Sequence, residues 1–298
     1  MSVIALSHGE THYELAGPED GRPVVLLHGG SIPMWSWDRQ VPVLTRAGFR
    51  VLRYDMFGRG QSASPPARYD RKLFRGQLLE LIDALAIERP VGLVGFSFGG
   101  AIAADFAAQH SEQVELLGLI APLVQYDAGN AVVRAARLPF LGPPFLRFVA
   151  LKKMVARASQ LWGDSPGTEH YAELFKRQIA REGFDRALLS FMRSDALGDY
   201  RETYRALGQG IRKVLLVWGT ADTDVPAHDI EFLREAIAQA EYVELEGVGH
   251  GSLFLAADRI NHVLLGFLTD ASGSFPPSAR QDRAGPDAPE GRPASRRS

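Results

Sequence analysis

The chain has 298 residues, 46% of them apolar and 23% charged, and a formal net charge of −2. That length accommodates one large α/β domain or two small ones, and at a net charge of −2 no overall field argues for a nucleic-acid partner. Cysteine is absent, which removes disulfides, thiolate nucleophiles and cysteine-ligated metals while leaving the compartment open.

The N-terminal MSVIALSHGE lacks the basic segment and long apolar run of a secretory leader. No stretch reaches the roughly 18–20 continuous apolar residues of a membrane helix, so a cytoplasmic location is the expectation. Residues 3–6 and 11–15 read as short strands joined through His8-Gly9-Glu10 as a hairpin. Residues 23–27 (PVVLL) form a wholly apolar strand that runs into His28-Gly29-Gly30. A helix is predicted over 37–47, ended by Gly48, then a strand over 50–54. Residues 71–86 carry Leu73, Leu78, Leu79, Ile82 and Leu85 at helical spacing. A strand over 91–94, a helix over 99–109 and a strand over 114–120 follow. The pattern resumes late, with a strand at 213–218, a helix at 229–239, a strand at 242–245 and a last helix at 259–268.

Strands apolar throughout and spaced by helices predict an α/β fold, with a mostly parallel central sheet flanked by helices on both faces. Residues 124–210 break this rhythm and read as a mostly helical insertion lying on the sheet as a cap. The core is then 1–123 with 211–270. Residues 271–298 are rich in Pro, Gly, Ser and Arg and have no apolar period, so disorder is expected there.

Val91 to Gly100 reads VGLVGFSFGG. Gly95-Phe96-Ser97-Phe98-Gly99 fits G-x-S-x-G after a strand and before a helix, the context in which that motif has chemical meaning. A glycine-flanked serine also suits a plain tight turn. On a sharp strand-to-helix bend, however, glycines remove the side chains that would collide, and the helix N-terminus directs free N–H groups and partial positive charge at the hydroxyl.

A serine hydroxyl at neutral pH needs a base. Of the eight histidines, His250 lies in the glycine-rich loop Glu246-Gly247-Val248-Gly249-His250-Gly251, directly after a strand. Asp222, in WGTADTDVP, also follows a strand, with Asp224 a near competitor and Asp127 a distant one. In a parallel sheet the loops at strand C-terminal ends share one rim. Serine, aspartate and histidine in that order, after separate strands, are far more specific together than any one alone.

With those residues in hand, the chain resembles the α/β-hydrolase superfamily, as a serine-nucleophile, esterase- or lipase-like member with a helical cap. The resemblance covers about residues 10–270 apart from the cap. It is carried by Leu27-His28-Gly29-Gly30, by Tyr54 to Ser62 (YDMFGRGQS), by the Ser97 turn, and by Trp218 to Pro226 with His250. It implies a triad of Ser97, Asp222 and His250, the aspartate four residues after the tryptophan of WGxxD being favoured over Asp224. It implies an oxyanion hole from the Phe98 N–H and the HGG turn, with Gly30 the expected donor and Ser31 the other candidate. His28, Asp55, Gly58 and Gly60 are then scaffold. Ser31, Trp35, Phe96, Phe140, Phe145 and Leu253 are the candidates for the substrate pocket.

The activity so implied is hydrolysis of carboxylic esters, with no cofactor and no metal, since neither HExxH nor a close His/Asp cluster occurs. Dehalogenases and epoxide hydrolases of this fold place Asp where Ser97 stands. Carbon–carbon bond hydrolases usually carry an aromatic residue after the histidine, where this chain has Gly251. Perhydrolases share the triad, and a non-catalytic binding module of the same fold is the reading from another class. Residues 128–163 hold six basic residues and no acidic one, interleaved with Phe140, Leu141, Phe145, Leu146, Phe148 and Leu151. That composition raises weak membrane-surface association through the cap, against the plainer reading of an apolar face packed on the core and a solvated basic face.

Overall fold

The computed structural model describes residues 1–126, 131–163, 168–210 and 213–270. Asp127 and the tail expected over 271–298 lie outside the described residues. The strands are β1 (Ser2–Leu6), β2 (Gly9–Ala16), β3 (Pro23–Leu27), β4 (Arg50–Tyr54), β5 (Val91–Phe96), β6 (Val114–Ile120), β7 (Val214–Gly219) and β8 (Glu241–Leu245). They make one sheet in the order β1-β2-β4-β3-β5-β6-β7-β8. The opening hairpin is antiparallel, as is the β2–β4 pairing, and every other pairing is parallel.

All six residues of β5 and of β7 are buried. Helices lie over both faces, so neither strand has a polar side and the period-two alternation of a half-exposed strand is absent. Order reverses between β3 and β5, which sends the chain to opposite edges and leaves their C-terminal ends beside an open crevice. Leu27 pairs with Gly95 there, so the turn after β3 and the bend after β5 start side by side.

The predicted helix over 37–47 is two pieces. A 3-10 turn covers Met34–Trp37 and an α-helix covers Val41–Arg46. Pro42 explains the break: inside a longer helix its ring would strike the carbonyl of residue 38 and its missing N–H would cost a bond, whereas in a first turn neither matters. The helix Arg71–Ala84 stops short of its predicted end, with Ala86 beyond it at φ +48°.

Between β6 and β7 the helices are Ala131–Arg137, Gly142–Phe145, Leu151–Trp162, Glu169–Ile179, Phe184–Met192 and Arg201–Gly210, with a π-turn at Leu146–Ala150. Gln125 and Asp199 form an antiparallel bridge, so the chain leaves the core and returns at one place. Arg201–Gly210 follows that return. It buries Tyr204 and Leu207 and packs along the helix Phe98–Gln109, so it belongs with the helical layer of the core. Among the described residues no helix is long and apolar enough to cross a membrane.

Candidate active site

Ser97 closes β5 and opens the helix Phe98–Gln109 with φ +54° and ψ −120°. A non-glycine residue there costs on the order of 1–3 kcal/mol and persists only where the surroundings over-determine it. They do so here. The Ser97 N–H donates to Ile120 O (2.9 Å), and Ser97 O accepts from the N–H groups of Gly100 (2.9 Å) and Leu123 (3.0 Å). Two glycines make room for the bend. A Cβ on Gly95 would meet Gly99 O at 2.3 Å, and one on Gly99 would meet the carbonyl oxygens of Leu27 and His28 at 2.4 Å.

His250 stands in the loop after β8. Its Nε2 lies 3.0 Å from Ser97 Oγ and its Nδ1 2.7 Å from Asp222 Oδ2. Asp222 is buried, and its other oxygen accepts from the N–H groups of Asp224 (2.8 Å) and Val225 (3.0 Å). Trp218 Nε1 fixes the far end of that loop by donating to Val225 O (2.9 Å). With both oxygens engaged the carboxylate has one orientation, and it presents Oδ2 to the imidazole. The competitor Asp224 turns away and ion-pairs with Arg157 of the insertion. The Phe96 ring lies against the His250 ring with centroids 5.0 Å apart, which supports the imidazole from one side.

The turn after β3 completes the constellation. A Cβ on Gly30 would sit 3.5 Å from Phe98 Cβ, so this turn lies against the residue that follows the serine. Among the described residues neither the Gly30 N–H nor the Phe98 N–H has a hydrogen-bond acceptor. His28 is fully buried; Nδ1 donates to Gly29 O (2.7 Å) and Nε2 accepts from the Met56 N–H (2.9 Å). Burial pushes its pKa down to about 4, so the ring is a neutral spacer that braces the turn.

Asp55 is the matching brace on the next loop. Its carboxylate accepts from the Met34 N–H (2.9 Å), the Gln61 N–H (2.8 Å) and His12 Nδ1 (2.9 Å).

Sequence reasoning missed two residues that hold the Gly30 turn. Arg59 is buried, donates from Nε to Gly30 O and from Nη1 to Gly58 O (3.1 Å), and faces the Phe191 ring at 5.0 Å. Phe191 in turn packs edge-on against Phe98 (4.8 Å). Desolvation lowers the Arg59 pKa to about 10, which still leaves it cationic at neutral pH. Gln178 reaches from the insertion, donating to Ser31 O (2.7 Å) and accepting from the Gly60 N–H (2.9 Å). Arg59 at least stood inside a glycine-rich rim motif; nothing distinguishes Gln178 in FKRQIA.

The pocket candidates divide. Phe96 touches the histidine, and Ser31 lies on the oxyanion-side turn. Trp35 is buried in an aromatic cluster, stacked on Tyr171 (5.1 Å) and near Trp162 and Phe254. Leu253 has no exposed surface and is core, its carbonyl accepting from Gln40. Phe145 is half-buried within the insertion. Phe140 is 93% exposed. Its sequence context is apolar, which suggested a pocket, but the left-handed turn that carries it faces solvent. Among the described residues no group of three His, Asp or Glu side chains is placed to hold a metal.

The rim of the mostly parallel sheet thus presents a strained serine hydrogen-bonded through histidine to a buried aspartate. The chain belongs to the alpha/beta hydrolase fold family, whose model matches residues 22–257. It is 32% identical over 261 residues to the dihydrolipoyllysine-residue acetyltransferase component of the acetoin cleaving system of Pseudomonas putida, an alignment covering 86% of this chain and 65% of that relative's length. It is 27% identical over 283 residues to a non-heme chloroperoxidase of Streptomyces lividans, covering 90% of this chain and 99% of the relative. Among solved structures, the enol-lactonase from Burkholderia xenovorans superimposes with a TM-score of 0.76 at 25% identity, covering 90% of this chain and all of that one.

Proposed function

We propose that the protein is a serine hydrolase that cleaves carboxylic esters through an acyl-enzyme. The observation that carries this reading is the continuous hydrogen-bonded path from Ser97 Oγ through His250 to Asp222. His250 Nε2 takes the hydroxyl proton as Oγ bonds to the ester carbonyl carbon. Asp222 accepts from Nδ1–H, holds that tautomer and stabilises the imidazolium. The carbonyl oxygen becomes an oxyanion between the N–H groups of Phe98 and Gly30, each such donor being worth about 10²–10³ in rate. As the tetrahedral centre collapses, the alkoxide leaves with the proton from His250. Water, deprotonated by the same imidazole, then cleaves the acyl–Ser97 bond and returns the proton to Oγ. The likeness to a lactonase supports an ester as the bond attacked, since a lactone is a cyclic ester.

Hydrolysis of p-nitrophenyl esters from acetate to palmitate, wild type beside Ser97→Ala, tests the reading. Turnover should fall by on the order of 10³-fold or more in the variant, and the preferred chain length should size the site beneath the insertion. A folded wild type inert on every ester, or turnover unchanged in Ser97→Ala, overturns it. The likeness to a chloroperoxidase favours one second reading: hydrogen peroxide in place of water on the same acyl-enzyme, releasing a peracid. Peracid formation in acetate and peroxide, lost in Ser97→Ala, would separate the two. A phosphonate that fails to label Ser97 would point instead to a binding module.

A further inference from the structure

Residues 142–162 run as nearly continuous helix through the π-turn Leu146–Ala150. Gly142, Leu146 and Ala150, four residues apart, are its buried side. A surface helix normally turns polar side chains to water. This one turns out Leu141 at its start, then Phe148 and Val149, and Leu138 and Phe140 precede it. Five of the eight exposed large apolar side chains among the described residues therefore fall within residues 138–149. Phe140 is the most exposed and is held at φ +60° in a three-residue turn closed by the Leu141 N–H on Pro139 O (2.6 Å). That backbone is strained for an aromatic residue, and no burial of its ring compensates.

Cations surround this patch. Arg134, Arg147, Lys152 and Lys153 are all exposed, and none of them ion-pairs with an acidic side chain among the described residues. No Asp or Glu occurs between residues 128 and 163. An exposed apolar patch rimmed by positive charge that has no acidic partner among the described residues marks a contact surface. A second copy docked through the same face would cover the apolar groups but set cation against cation. A sheet of anionic headgroups over hydrocarbon satisfies both at once.

We propose that the outer face of residues 138–153 docks reversibly on a lipid bilayer carrying anionic headgroups, with Phe140, Leu141 and Phe148 entering the acyl boundary and Arg147, Lys152 and Lys153 meeting the phosphates. The inference stands on this face alone and holds whether or not Ser97 turns over an ester.

The test is co-sedimentation of the full chain with vesicles of phosphatidylcholine, pure or mixed equally with phosphatidylglycerol, at low and high salt. The wild type should pellet with the mixed vesicles and lose about tenfold in partitioning at high salt. F140S/F148S should lose about tenfold at both salts, and K152Q/K153Q about tenfold at low salt alone. These side chains are exposed, so each variant should melt close to the wild type. The proposal is overturned if folded wild type does not pellet with mixed vesicles at low salt, or if neither variant changes the pelleting. It is also overturned if sedimentation equilibrium without lipid shows a dimer that F140S/F148S returns to monomer, which would give the face to a second copy.

Discussion

The sheet rim and the helical insertion are held in different ways. At the rim, backbone groups hold the chemistry: Asp222 by the N–H groups of Asp224 and Val225, Ser97 by Ile120 O and the Leu123 N–H. The insertion meets the rim through long side chains, Gln178 on Ser31 and Gly60, Arg181 on Gly60 O, Arg186 on Ser64 O. Backbone partners are fixed once the strands pair. Side-chain partners can be cut one at a time. The backbone supports of Ser97 and Asp222 are therefore a consequence of the sheet, while the polar seam to the insertion can be cut one bond at a time, leaving the packing of Trp162, Tyr171 and Phe191 into the core in place.

The sharpest break at the rim is Asp222→Asn, which keeps the shape and disturbs the imidazole tautomer. Turnover should fall by on the order of 10⁴-fold. Asp224→Asn, which removes only a half-exposed ion pair, should change it less than about tenfold. Equal losses in steady-state assays of the two would remove the assignment of the acid.

Asp55→Ala strips the acceptor from two buried donors, the Met34 N–H and His12 Nδ1, and from the part-buried Gln61 N–H. Stability should drop by about 3–5 kcal/mol, read as a fall of about 10 °C in thermal midpoint. A drop under about 1 kcal/mol would mean the rim does not rest on this carboxylate.

His28 makes the rim sensitive to acid. Its folded pKa of about 4 lies below the ordinary 6.5. Between those values the unfolded chain binds a proton that the folded chain refuses, so stability is full above about pH 6.5 and falls as pH drops toward 4. The loss is roughly 3 kcal/mol at about 1.4 kcal/mol per pKa unit. Urea melts across that range should show the slope in wild type and a shallower one in His28→Asn; equal slopes would place the acid sensitivity elsewhere.

The smallest effect tests the seam between the two regions. Gln178→Met keeps the side-chain length and removes both hydrogen bonds, worth about 1 kcal/mol each. Ester kcat/KM should fall about five- to tenfold with only a small shift in melting. A lower melting point with kcat/KM intact would show that the Gly30 turn keeps its geometry without the insertion.

Strand positions were legible because burial on both faces demands mostly apolar runs: PVVLL, RVLRY and VELLGLI became β3, β4 and β6 with the boundaries read from the sequence. The helix predicted over 37–47 divides because of Pro42, a local steric fact also present in the sequence. Ser97, Asp222 and His250 could be singled out because each follows a strand, Ser97 directly and the other two within a short loop, and the loops after parallel strands share one rim.

The sequence by itself determined the order of strands and helices, the glycines that permit the Ser97 bend, and the loops from which a serine, an aspartate and a histidine could meet. Those follow from local sterics and from apolar periodicity along the chain. Only the tertiary structure decided that Asp224 turns away to Arg157, that Arg59 and Gln178 grip the Gly30 turn, and that Leu253 is core while Phe140 stands in solvent. Each of those outcomes depends on which groups from distant segments compete for one partner or one space, and that competition exists only once the sheet has closed the distance between them.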